Sequence, residues 1–184
     1  METAIGLAIG VPLGVAQSIL MLWIVFRLLG PRLTWSTPAL TLVEGAPDSW
    51  RDQIAAVLSN NGRRDAVDVS IHAELRVSHA PGVDGVTRTV IRLPLNAPWM
   101  PRLRRAGDAR VRIDGAHIVE SDWARLQMRA GIESSTLIGV LTEFPEASVR
   151  LYALASDPFS GSRQAFVSRD FAAKDLVGGV SDEP

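Results

Sequence analysis

Residue types able to carry acid–base or metal chemistry are few in this chain. It has 3 histidines, His72, His79 and His117, and no cysteine. Disulfides, thiolate nucleophiles and thiolate metal ligands are therefore absent. The one local cluster of hard and borderline ligands is "HIVESD", which offers His117, Glu120 and Asp122. A metal needs such groups to converge in space, and this segment reads instead as a turn leading into a helix capped by an acid. His72 falls on the polar side of an alternating strand, where water is its expected neighbour. "DPFSGSR" has serines but no Gly-x-Ser-x-Gly elbow to expose a nucleophile, and no glycine-rich phosphate loop follows a strand. The expectation is a non-enzymatic protein with no catalytic residue, no cofactor and no metal.

Charge offers a different candidate. "PWMPRLRRAGDARVR" concentrates Arg102, Arg104, Arg105, Arg110 and Arg112 beside Trp99 and Met100. A basic loop with an aromatic tip, built on Trp99, Arg102, Arg104 and Arg105, suits anionic lipid headgroups, where each charge is worth about 1 kcal/mol. It suits an acidic protein partner equally well. Nucleic acid is disfavoured by a formal net charge of −1. The plain alternative is a solvated loop, since Lys174 is the sole lysine and arginine serves as the general cation throughout.

The element that must position any site is the N-terminal run "AIGLAIGVPLGVAQSILMLWIVFRLLG". Residues 5–29 include only Gln17 and Ser18 as uncharged polar side chains and no charge before Arg27. At 1.5 Å rise per residue such a helix covers the roughly 30 Å hydrocarbon core of a bilayer. A cleavable signal would want a positive leader, a shorter apolar core and a small-x-small cleavage site. Here Glu2 is the only charge ahead of the core, and "FRLLGPRLTW" has no such site. The expectation is an uncleaved anchor at a cell membrane. Arg27 and Arg32 lie just after it and no Lys or Arg before it, which places the N-terminus outside and the following domain in the cytoplasm. Gly6, Gly10, Gly14 and Ser18 recur every fourth residue, a small-residue seam along which two helix backbones approach closely, while Leu20, Trp23 and Phe26 meet lipid. A homo-oligomer is expected, although Pro12 loosens this turn and glycine is common in membrane helices.

Beyond the anchor the texture changes. "AVDVSIHAELRV" alternates strictly, with Val67, Val69, Ile71, Ala73, Leu75 and Val77 on one face. "VTRTVIRLPL", "ARVRIDG", "TLIGVLTEF", "ASVRLYALAS" and "SRQAFVSRDF" read as further strands, with "HAPGVDG" and "DPFSG" as turns. "DSWRDQIAAVLSNNG" is ambiguous. It makes a helix with Trp50, Ile54, Val57 and Leu58 on one side, or a strand with Trp50, Ile54, Ala56 and Leu58 inward. Asn-Gly between apolar runs favours the strand and a hairpin through "NNGRR". "VESDWARLQMRAG" holds one short helix capped by Ser121 or Asp122. The division is thus an anchor (1–30), a juxtamembrane linker (31–38), an all-β domain (39–177) and a loose tail (178–184).

"VLSNNGRRDAVDVSIHAELRV" resembles the cytoplasmic immunoglobulin-like domain of inward-rectifier potassium channels. There an Asn-x-Arg turn, here Asn61 and Arg63, leads to an alternating strand. "VIRLPLNAP" is similar to the family's strand closing on a Pro-Leu pair, here Pro94 and Leu95. "FVSRDFAAKDL" is similar to its Arg-x-aromatic segment with a following acid, here Arg169, Phe171 and Asp175. The resemblance implies an immunoglobulin-like β-sandwich but not conduction, because there is one span, no pore helix and no "TVGYG" filter. The same stretch resembles bacterial adhesion-type immunoglobulin-like modules, which imply the same fold on the other side of the membrane. Two functions therefore stand open. One is a membrane-anchored interaction and assembly protein that binds a partner through strand edges or the basic loop. The other is an oligomeric pore-forming or channel-accessory protein, with only Gln17 and Ser18 to line its bundle.

Overall fold

The computed structural model describes residues 2–36, 39–40, 53–79, 87–175 and 177–178. Along the chain come α1 (Glu2–Leu29), β1 (Leu33–Trp35), β2 (Ala39–Leu40), β3 (Gln53–Asn60), β4 (Ala66–His79), β5 (Thr87–Leu93), β6 (Trp99–Leu103) and β7 (Asp108–Asp114). Then follow α2 (Glu120–Ala130), α3 (Leu137–Glu143), β8 (Ala147–Ser156), β9 (Arg163–Val167) and β10 (Val177–Gly178). In one sheet β3 is central, with β7 on one edge and β1 and β2 on the other, and β10 adds to β2 in parallel. In the other sheet β4 is central, with β8 and then β9 on one side and β5 and β6 sharing the opposite edge. All other pairings in both sheets are antiparallel.

Period-two burial makes the interior. On β8, Ala147, Val149, Leu151, Ala153 and Ala155 point inward and every residue between them is half-exposed. They meet Ile54, Ala56 and Leu58 of β3, the three expected inward positions of the ambiguous segment, which is a strand. Trp50 lies outside the described residues. The core has two lobes. One, around Leu33, Leu58, Ala66, Leu103 and Val111, sits at the end where α1 enters. The other is closed by Leu126 of α2 and Leu137, Val140 and Leu141 of α3.

The structure corrects the sequence reading at five places. "TLIGVLTEF" is the helix α3 and not a strand: the Thr136 hydroxyl accepts from Gly139 N at its start, and Leu137, Val140 and Leu141 have the i, i+3, i+4 spacing of one helix face. The domain is accordingly β-rich and not all-β. α2 starts after Val119 with no side-chain cap, so neither Ser121 nor Asp122 serves; Gly131, at φ 65°, ends it. The alternation of β4 slips at Asp68, which takes φ 50° where the register to β8 shifts. This bulge turns Ala66 inward in place of Val67. β3 and β4 belong to different sheets, so "NNGRR" is a crossover and not a hairpin. Within the stretch read as linker, Leu33–Trp35 pairs with β3.

The crossover is held by Asn60, fully buried. Its Oδ1 accepts from Gly62 N at 3.0 Å and Arg32 N at 3.4 Å, and its Nδ2 donates to Arg64 O at 2.9 Å and Leu103 O at 3.2 Å. Gly62 lies flat against the exit of α1, where a Cβ would come within 2.4 Å of Arg32 N and 2.7 Å of Gly30 O. The described side chains of α1 are those at 12–25 and at 28–29, and Leu13, Ile19, Leu20, Met21, Leu22, Trp23 and Leu28 all stand exposed. Among the described residues no helix is long and apolar enough to cross a membrane.

Candidate functional site

The outer face of the β4 sheet carries a polar cluster. Past the bulge, alternation points Ser70, His72, Glu74 and Arg76 outward, and pairing sets His72 opposite Tyr152 and Glu74 opposite both Arg92 and Arg150. Of these, His72, Glu74, Arg92 and Tyr152 line an open cleft of about 580 Å³, together with Val90, Ile91 and Leu154 and with Asp122 and Arg125 from α2. Glu74 is its hub. Its Oε2 accepts from Arg76 Nε at 3.2 Å, Arg76 Nη2 at 3.0 Å and the Tyr152 hydroxyl at 2.9 Å. Three donors converging on one oxygen fix the orientation of this carboxylate. Burial, with Glu74 beside it, pushes the Tyr152 phenol up. Arg150 pairs with Asp170 and Arg163 donates to Ser70 at 2.9 Å. The cleft offers directional donors and acceptors over an apolar floor, which suits recognition.

His72 touches Arg92 in this cleft. Burial lowers its pKa, the Arg92 charge lowers it further, and Glu74 opposes both. The unfolded chain therefore binds this proton more readily than the folded one. His72 withdraws stability as pH falls from its unfolded value of about 6.5 through the lower folded value. An NMR titration of the imidazole protons should show His72 with a midpoint below 6.5 and Arg92→Gln should raise it. A midpoint unmoved by Arg92→Gln would assign the shift to burial and the Arg163 charge.

The other sequence candidates are dispersed. His117 is exposed, with Nδ1 2.8 Å from Asp114 Oδ2, and Asp122 pairs with Arg125 at 3.5 Å. The "HIVESD" groups do not converge, and among the described residues no group of three His, Asp or Glu is placed to hold a metal ion. His79 has no described side chain. The expected basic loop is in part the strand β6, and its members divide. Trp99 donates from Nε1 to Asp68 at 2.8 Å, beside the bulge. Arg102 pairs with Asp65, whose other oxygen accepts from Arg105 N at 2.6 Å. The Arg105 amide chiefly, then Arg102, hold the Asp65 carboxyl low. Arg104 and Arg105 project from the β6–β7 turn, which uses a left-handed Ala106 at φ 53°.

Of the glycine stripe, Gly6 and Gly10 lie outside the described side chains. Gly14 faces open space, with nothing within 4 Å of an added Cβ, and the Ser18 hydroxyl donates to Gly14 O at 2.8 Å. Sequence reasoning missed Asn60, because adjacent asparagines look alike: the motif residue Asn61 is exposed and donates to Thr34 Oγ1 at 2.7 Å. It also missed Asp157, buried at the start of the β8–β9 hairpin loop. Burial raises the Asp157 pKa, but bonds from Ser160 Oγ and Phe159 N, with the Arg64 charge, outweigh it and lower the value. The Arg169, Phe171 and Asp175 segment does close on itself, through an ion pair of 3.3 Å and a guanidinium 5.3 Å from the Phe171 ring.

No protein-family profile matches the chain, and no curated protein matches it. Among solved structures it is similar to the ApaA protein of Bordetella pertussis, at 14% identity and a TM-score of 0.39, over 83% of this chain and 98% of that one. It is also similar to the sporulation control protein Spo0M from Bacillus subtilis, at 6% identity and a TM-score of 0.38, over 82% of this chain and 50% of that one.

Proposed function

We propose that the protein is a single-pass, membrane-anchored interaction and assembly module without enzymatic activity. An immunoglobulin-like β-sandwich stands on the cytoplasmic side, and the N-terminus is outside. The observation that carries this reading is α1. From Leu13 to Leu28 all its described apolar side chains but the half-buried Ile24 stand exposed, and an apolar surface of that extent needs a partner other than water. A bilayer supplies it for residues 5–29, whose composition suits a span. The helix then meets the sandwich without slack, since Gly62 packs on its exit. Partner binding falls to the polar cleft around Glu74 and to the outer edge of β9, an exposed strand paired on one side only among the described residues.

Alkaline carbonate washing of membranes should leave the full-length protein in the pellet. A reporter active only in the cytoplasm, fused after Pro184, should be active. Extraction into the supernatant would reject the anchor. Retention together with activity of a periplasm-only reporter would keep the anchor and reverse its orientation.

A further inference from the structure

The end of the sandwich next to α1 gathers arginines from the α1 exit, the crossover and the β6–β7 turn. The crossover at 60–65, the β6–β7 turn at 103–107 and the β8–β9 loop at 157–162 are stitched together there. Asn60 N donates to Gly107 O at 2.9 Å, Ala106 N to Asn60 O at 2.9 Å and Asn61 N to Arg32 O at 2.8 Å. Arg64 binds Asp157 at 3.2 Å and stacks 4.5 Å from the Phe159 ring centre. Arg32, Arg63, Arg104 and Arg105 are all exposed, and none of their side chains forms an ion pair among the described residues. Phe159, 71% exposed, tips the hairpin loop.

These groups lie at a definite depth relative to the helix. A crevice of about 630 Å³ is lined by Trp23, Gly30, Pro31 and Arg32 on one side and Ser160, Ser162, Gln164 and Phe166 on the other. Trp23 is seven residues, about two turns, before Gly30. The β8–β9 hairpin thus reaches alongside the last two turns of α1. Residues 5–29 cover about 38 Å against a hydrocarbon core of roughly 30 Å, so with the span starting at Ile5 the last turn of α1 and the loop beside it stand in the headgroup layer, where aromatic rings and arginines are favoured.

We propose that this end of the domain is a docking surface for anionic lipid headgroups, with Arg32, Arg63, Arg104 and Arg105 contacting them and Phe159 inserting at the acyl boundary. The inference rests on the anchor reading above and adds lipid selectivity to it. It holds the sandwich against the membrane and leaves the Glu74 cleft turned to a partner. Arg102 is excluded, being neutralised by Asp65, and so is Trp99, four residues up β6 and bonded to Asp68.

The chain has no cysteine, so Phe159→Cys in the full-length protein takes a single environment-sensitive fluorophore. Met128→Cys on α2, also exposed, serves as the control. In discs containing phosphatidylglycerol, emission at 159 should rise about threefold over discs of phosphatidylcholine alone, as for a probe entering the headgroup–acyl boundary. The probe at 128 should not respond. The triple variant Arg63→Glu, Arg104→Glu, Arg105→Glu should abolish the difference. Equal emission in the two lipids, or a rise that survives the triple variant, overturns the docking surface and leaves the anchor standing. Carbonate extraction of the protein overturns both.

Discussion

Asn60→Ala destabilises the domain by about 3 kcal/mol, whereas Asn61→Ala costs about 0.5 kcal/mol. The two residues are neighbours of one type and differ only in what surrounds them. Asn60 is fully buried and satisfies four backbone groups, two donors and two acceptors. Two of those bonds, to Gly62 N and Leu103 O, are buried, and each abandoned buried group costs on the order of 1–3 kcal/mol. Asn61 makes one exposed side-chain bond, to Thr34, for which water substitutes. Urea unfolding of the full-length protein in micelles, followed by tryptophan emission, measures both. Equal costs for the two variants would mean that the crossover is held by the packing of Gly62 on the α1 exit and not by the amide.

Gly14→Ile reduces the crosslinked homo-oligomer in membranes about tenfold, the equivalent of some 1.4 kcal/mol of helix–helix contact. A Cβ added there has nothing within 4 Å outside the helix's own neighbouring backbone, so the loss is expected to arise between molecules. Gly10→Ile, one turn away on the same stripe, should act alike, and Leu20→Ile on another face should not. The Ser18 hydroxyl is already committed to Gly14 O, so the association depends on close backbone approach and not on a hydroxyl bridge. An oligomer population unchanged by both glycine variants would reduce the stripe to ordinary membrane-helix composition and would remove the assembly part of the proposed function.

The sequence by itself determined the features that depend on one residue's relation to its near neighbours. Alternation at two-residue spacing marked the inward face of β4 from Val69 to Val77, because burying one face of a pleated strand imposes that period whatever strand lies beside it. Asn-Gly correctly decided for a strand at 53–60, yet the hairpin inferred with it does not exist. Which strands share a sheet is settled by hydrogen bonds between distant segments, and β3 and β4 spend theirs on different partners. A short apolar run such as 137–143 has the same hydrophobicity as helix or strand, so the Thr136 cap and the open end of the core chose for it. The slip at Asp68 left no mark in the pattern, because Ala66 and Val67 are both apolar and either could face in. The polar cleft and the arginine-bearing end likewise exist only after folding. Glu74 and Tyr152 are 78 residues apart, and Arg32, Arg63 and Arg105 come from three stretches that meet because Asn60 and Gly62 seat the crossover on the exit of α1.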